Sequence, residues 1–331
     1  MSIVVGIDVS ARTGQVAWRC EGRPAGSFEV SQTPDGHAGL IERLRKLEPT
    51  CVVLEATGIY YLDLAIALAQ AKLPVAVINP RSFHHFAKLK LQGSKTDPID
   101  AALLAEYGER MTPALWTCPP LKRLEFRGIG RQINRLVRTR TQAKNRLHAL
   151  QSTRTTSALL IDDESAGIEF LDARITKLTA AALALLHDMP DLAQQCQLID
   201  DAKGFGQASA ISILAELCVL PTDLKAKQIA RYAGLDVRLC NSGTSVHKVG
   251  RLSGGGNAYL RSALFMPAMS ARTHEPRAKA FFDKLVGKGK KKMQAICALM
   301  RKYLTAIWAC LKSGKPFDAN LLFDEIKTPA A

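Results

Sequence analysis

No run of about 18 consecutive apolar residues occurs in the sequence, so no membrane-spanning helix is expected. The opening MSIVVGIDVS lacks both the basic region and the small-residue cleavage site of a secretory signal. None of the eight cysteines forms a CxxC pair; they are scattered from Cys20 to Cys310. That spacing argues against a zinc site or a disulfide framework, and for reduced, mostly buried thiols of a cytosolic protein. Acidic residues are also short: 30 Asp and Glu stand against 45 Lys and Arg, a formal charge of +15. Such an excess favours a polyanionic partner.

The charge is unevenly placed. Residues 1–115 carry 12 basic and 12 acidic side chains, so the whole surplus lies after Leu115. Residues 121–148 hold nine basic residues and one acid, and residues 284–302 hold seven and none. A neutral first part and a basic remainder suggest a chemistry domain joined to polyanion-binding parts. With 331 residues, 47% of them hydrophobic, the chain can build more than one core.

Two boundaries divide it into three segments. SIVVGIDVS, GQVAWRC and GSFEVSQ read as an antiparallel meander. GHAGLIERLRKLE is an amphipathic helix, CVVLEA a buried strand, YYLDLAIALAQAK a helix, and LPVAVINP a second buried strand. Three strands, helix, strand, helix, strand is the order of an α/β ribonuclease-H-like domain, placed at residues 1–115. Pro119-Pro120 then breaks the chain. From Leu121 to about Ser152 the pattern is a long helix, with Arg123, Arg127, Arg131, Arg135 and Arg138 on one face. A second helix, roughly Gly167 to His187, has near-heptad apolar spacing. Residues 116–194 therefore read as a basic helical, coiled-coil connector. Residues 195–331 read as a mainly α domain with a glycine-rich break at Gly250–Gly256.

Four carboxylates stand where this order brings chain segments to one rim. Asp8 ends the first strand and Glu55 the fourth, while Asp97 and Asp100 open a helix in KTDPIDAALLA, three apart on one face. Thr96 or Asp97 suits its cap and Pro98 its first turn. Clustered carboxylates oppose one another's ionisation, and a divalent cation removes the conflict. Mg²⁺, with its preference for hard oxygen ligands and phosphates, suits such a set.

The runs GIDVS, LEATGIYY, VINP and KTDPIDAALLA resemble the amino-terminal half of transposases of the insertion-sequence-110 family. KGFGQASAISILAEL, YAGLDVRLCNSG and GRLSGGGNAYLRSALFMPAM resemble the same family's carboxy-terminal domain, in the same order. The resemblance implies a RuvC-like domain in which Asp8, Glu55, Asp97 and Asp100 bind Mg²⁺, and a nucleophilic serine at Ser242. It implies a transposase or site-specific recombinase that cuts and rejoins donor and target DNA through a phosphoserine link. It further implies guidance by a bridging noncoding RNA, a homodimer that assembles to a tetramer with composite sites, and a bacterial cytosolic, nucleoid-associated location. A Holliday-junction nuclease using metal-activated water on the same acids is the rival reading.

The residues of the second part leave choices open. Ser242, Ser245 and Ser253 are competing hydroxyls that spacing does not separate, and a serine needs a base, a metal or a charged environment to attack. His247, Lys248 and Arg251 lie near, and cations there can hold a scissile phosphate. Lys203-Gly204-Phe205-Gly206 is either a phosphate-binding helix-hairpin-helix turn or an ordinary interhelical one. Gly254–Asn257 ahead of Arg261 invites the same two readings. The arginine stripe would touch phosphates without reading bases, and Lys288–Lys292 is a phosphate contact or a basic loop. Trp116, Trp308, Phe281 and Phe282 read as core.

Overall fold

The computed structural model describes residues 2–90, 96–242 and 246–323, and from 239 to 249 it describes backbone alone. The chain divides into two compact units, Met1–Cys118 and Pro119–Ala331.

The first unit is built on β1 (Ile3–Val9), β2 (Thr13–Cys20), β3 (Arg23–Ser31), β4 (Cys51–Glu55) and β5 (Val75–Ile78). Their order in the sheet is β3-β2-β1-β4-β5. β1 runs antiparallel to β2, from Ile3↔Cys20 to Val9↔Gly14, and parallel to β4, from Val4↔Cys51 to Ile7↔Leu54. β4 and β5 are also parallel, ending at Glu55↔Ile78. This is the ribonuclease-H-like arrangement that the order of elements predicts.

Helices cover both faces of the sheet, which is why β1 and β4 are continuous apolar runs. On one face Val5, Ile7, Val52 and Leu54 pack with α1 (Pro34–Leu47) and α2 (Tyr61–Gln70) through Leu40, Leu44, Leu64 and Leu68. On the other, Val4, Val53 and Ile78 pack with α3 (Pro80–Leu89) and α4 (Asp97–Met111) through Phe83, Phe86, Leu104 and Tyr107. The reading that closes β5 at Pro80 passes over α3. Its start signal is local: Asn79 accepts a hydrogen bond from the Arg81 amide, and Pro80 supplies a preset first turn.

In the second unit α5 (Leu121–Gln151) and α6 (Ala158–His187) form an antiparallel hairpin, tied by Arg140–Asp172 and Arg146–Glu164 ion pairs. α6 begins nine residues before the expected Gly167, because Ser157 caps the Leu159 amide. α5 runs through Gly130 unbroken, and the close crossing of the helix it packs on leaves no room for a side chain there: a Cβ would stand 2.4 Å from the Ala215 Cβ. The hairpin shares one apolar core with α7 (Pro190–Asp200), α8 (Gln207–Leu217), α9 (Ala226–Tyr232), α10 (Ala258–His274), α11 (Pro276–Gly287), α12 (Lys292–Ser313) and α13 (Ala319–Leu322). Phe126, Ile133, Leu186, Leu214, Leu264 and Tyr303 lie within it.

Trp308 and Phe282 are buried there as expected, the Trp308 indole donating to the Leu224 carbonyl at 2.8 Å. Of the described cysteines only Cys196 and Cys218 are buried; the others are half-buried, a correction to the expectation of mostly buried thiols. Burial pushes the Cys196 thiol up to about 11 and Cys218 up to about 12, so both stay protonated and inert. The region is mainly helical, but it also contains an antiparallel ribbon that the sequence reading missed. β6 (Val237–Ser242) pairs with β7 (Val246–Leu252). No described helix is long and apolar enough to cross a membrane.

Candidate active site

The placement of the four acids follows from one close approach. A Cβ on Gly6 would stand 2.3 Å from both the Ala101 carbonyl oxygen and the Ala105 amide nitrogen, so α4 lies directly on β1. At Gly108 the same construction meets Val4 and Val53, at 2.7 and 2.5 Å. The helix therefore runs antiparallel to β1, its late residues over Val4 and its first turn heading toward Asp8. Asp8 is two residues beyond Gly6 and thus on the same, α4-covered face. Glu55 reaches that face too, two residues after Val53. Ile7↔Leu54 is the last shared rung, so Asp8 and Glu55 follow it side by side on neighbouring strands, about 4.8 Å apart at the backbone. Asp97 and Asp100 occupy the first turn of α4, with Thr96 at the cap position and the Asp100 amide bonded to the Thr96 carbonyl at 2.9 Å. β1, β4 and α4 thus bring the four acids toward one corner of the first unit.

Their carboxylates do not yet form a ligand cluster. Among the described residues no three His, Cys, Asp or Glu side chains gather closely enough to hold a metal ion. Glu55 instead accepts a hydrogen bond from the Thr57 hydroxyl. Deeper in the same helix Glu106 carries an ion pair with Lys90 at 2.9 Å and another with Arg110 at 2.7 Å. Burial opposes its charge, but those cations outweigh it and hold the carboxyl below its usual range. Glu106 is thereby committed to structure, not to the corner.

Ser242 is the last residue of β6, facing Val246 across the ribbon. Its side chain, with those of His247 and Lys248, lies outside the described residues, as does the whole of Ser245. Hydrogen bonds hold the ribbon's root. The Ser253 amide donates to the Asp236 carbonyl at 2.9 Å, and the Ser253 hydroxyl donates to the Asp236 carboxylate. The Asn257 amide donates to the Tyr232 carbonyl at 2.6 Å, and the Arg261 guanidinium to the Ala233 carbonyl at 2.8 Å. Ser253 is therefore a structural hydroxyl, which separates it from the other two candidates.

The arginine stripe splits by partner. Arg131 makes a two-pronged ion pair with Glu216, at 2.6 and 2.9 Å, and Glu216 is 1% exposed. Burial works against the Arg131 charge, but the Glu216 bond and charge raise its pKa nonetheless. Arg123 bonds the Cys218 carbonyl at 3.2 Å and pairs with Asp191. Arg135 donates to the Tyr259 hydroxyl at 2.9 Å yet remains exposed, like Arg138 and Arg251; Arg127 is half-buried. Lys203 sits 3.6 Å from the buried Glu275. Helical spacing puts the five arginines on one face, but it cannot reveal that the buried Glu216, from α8, takes up the Arg131 guanidinium in an ion pair and leaves that side chain half-buried. Arg261 is likewise half-buried, holding the ribbon's root.

Glu216 also accepts from the Asn257 side chain, which in turn donates to the Tyr232 hydroxyl at 2.8 Å. Removing one member of a buried pair leaves the other uncompensated. Glu216→Ala is expected to cost about 3 kcal/mol, at the low end because Arg131 is partly solvated. Denaturant unfolding at neutral pH measures it; a loss below about 1 kcal/mol would reduce the pair to a surface bridge.

Comparison with known proteins finds relatives along most of the chain. Residues 5–153 match a family model described as "Transposase", and residues 196–283 match one described as "Transposase IS116/IS110/IS902 family". The chain is 31% identical over 271 residues to a pilin gene-inverting protein of Moraxella bovis, covering 82% of each. It is 23% identical over 302 residues to the transposase for insertion sequence element IS1111A of Coxiella burnetii, covering 83% of this chain and 81% of that one. Among solved structures, Thermus thermophilus RuvC with a Holliday junction substrate aligns to 35% of this chain and all of its own, at 18% identity and a TM-score of 0.28. Two family models in order along the chain and a relative matched over most of its length give one conclusion: the protein belongs to the IS110 family of transposases.

Proposed function

We propose that the protein cuts and rejoins DNA through a serine nucleophile, Ser242, acting with the acid corner of Asp8, Glu55, Asp97 and Asp100, as a recombinase that moves its own insertion element. The observation that carries this reading is the crossing of α4 over β1 at Gly6, which brings helix-borne and strand-borne acids to one corner. The donor set is all carboxylate oxygen, which fits a hard divalent cation such as Mg²⁺. When bound by those four residues, Mg²⁺ supplies charge neutralisation and polarises a phosphodiester oxygen.

The chain's own part is positional. Ser242, at the end of β6, presents its hydroxyl to phosphorus; the Ser242 Oγ–P bond forms, the bond from phosphorus to the strand's own oxygen breaks, and the serine proton passes to that leaving oxygen. A hydroxyl of the exchanged strand then reverses the step and frees the serine. Arg251, exposed on β7, can hold the phosphate's charge. The acids and Ser242 lie in separate compact units, which suits a composite site between subunits of a dimer or tetramer. The exposed Arg135 and Arg138 suit backbone contacts with DNA or with a guide RNA.

The test uses a plasmid carrying the element's ends and looks for a denaturation-resistant protein–DNA adduct. Asp8→Asn, or chelation of divalent metal, is expected to lower adduct formation about 100-fold. Free cut ends without an adduct in the wild-type protein would instead support a nuclease that uses water.

A further inference from the structure

The turn after β4 sends two apolar side chains into solvent beside the acid corner. Ile59 is 72% exposed and Tyr60 53%, whereas the adjoining Tyr61 packs against the core under α1 and α2. The turn is short and internally bonded. The Ala56 amide donates to the Ile78 carbonyl at 3.0 Å, the Thr57 amide to the Glu55 carbonyl at 2.8 Å, and the Leu62 amide to the Ile59 carbonyl at 3.1 Å. Gly58 supplies the left-handed residue such a turn requires, with φ of 62°. A fixed turn holding a bare aliphatic and a bare ring four and five residues beyond Glu55 is not explained by the unit's own packing.

Its surroundings indicate what would cover it. The Glu55↔Ile78 rung places the start of α3 next to this turn. α3 buries Phe83 and Phe86 and exposes Arg81, His84, His85 and Lys88, and no acid occurs between Pro80 and Lys90. Among the described residues neither Arg81 nor Lys88 has an ion-pair partner. The domain as a whole is neutral in charge, so this local excess of cations beside an exposed ring matches a polymer with anionic links and flat apolar faces.

We propose that Ile59 and Tyr60 form a stacking wedge for bases flanking the phosphodiester at the acid corner, while Arg81 and Lys88 hold neighbouring phosphates of that DNA strand. The inference rests on the reading of the corner given above and adds a second contact to it. Apolar side chains beside a nucleic-acid site part base steps, and aromatic rings take up unstacked bases of any sequence.

The test uses full-length protein, a short oligothymidine strand containing one 2-aminopurine, and the matching oligouridine strand as a second probe. Tyr60→Ala is expected to weaken oligothymidine binding roughly tenfold and to abolish the fluorescence change of the aminopurine, while Tyr60→Phe retains both. Arg81→Gln with Lys88→Gln is expected to lower the salt slope of binding by about 1.4. All three sites are exposed, so thermal unfolding should stay unchanged. A Tyr60→Ala protein with wild-type affinity and fluorescence would overturn the wedge, and so would a Tyr60-dependent preference for oligouridine. The adduct assay is independent: loss of stacking with a normal wild-type adduct sinks the wedge alone, and stacking without any adduct sinks the recombinase reading alone.

Discussion

Replacing Ser242 by alanine is expected to lower covalent adduct formation by about a thousandfold or more while DNA affinity stays at the wild-type level. A nucleophile is lost outright by such a change, because no neighbouring group can form the same bond. The control is Ser253→Ala. Ser253 spends its hydroxyl on the Asp236 carboxylate at the ribbon's root, beside the hydrogen bond that its backbone amide donates to the Asp236 carbonyl. Its loss should cost about 1 kcal/mol of stability and leave the adduct present. Denaturing gels of protein incubated with labelled element ends give the adduct yield, and filter binding gives the affinity. An adduct of normal yield from Ser242→Ala would remove Ser242 from the chemistry and turn attention to Ser245, the remaining candidate hydroxyl of the sequence.

That contrast shows where the sequence was legible and where it was not. The strands of the first unit are readable because helices cover both sheet faces, so β1 and β4 are nearly uninterrupted apolar runs bounded by turn residues. The acids follow from that order, since Asp8 and Glu55 sit at strand ends. Elements defined by caps were harder. α3 starts on an Asn-Pro pair, and α6 on a lone serine, both within stretches whose apolar periodicity is short. The β6–β7 ribbon escaped because it lies outside a helical core and lacks a clean alternation, its register shifting between Arg238 and Cys240. The arginine stripe shows a different limit. Periodicity gives the face on which Arg131 lies, but only the fold brings Glu216 to it across 85 residues. Sequence spacing therefore locates groups along an element and says nothing about the partner that decides whether a charge faces solvent.

Gly6→Ala is expected to destabilise the first unit by about 3 kcal/mol and to lower adduct formation about 100-fold, well beyond what the lost stability explains. The added methyl would meet backbone, the Ala101 carbonyl and the Ala105 amide at 2.3 Å, together with the Leu104 Cβ at 2.7 Å. None of these is the far end of a flexible side chain, so the strain is relieved only by lifting α4 from β1. Lifting α4 carries Asp97 and Asp100 away from Asp8 and Glu55, and a shift near 1 Å at reacting groups costs about 100-fold in rate. Gly39→Ala, in α1 of the same unit, supplies the opposite sign: nothing lies within 4 Å of its added carbon. Filling that helical position should stabilise the unit by about 0.5–1 kcal/mol and leave the adduct unchanged. Thermal and denaturant unfolding of the two variants, set beside their adduct yields, separates a packing defect from displaced acids. A Gly6→Ala protein that loses stability but keeps its full adduct yield would show that the corner does not depend on the seating of α4, and the role assigned to Asp97 and Asp100 would fall with it.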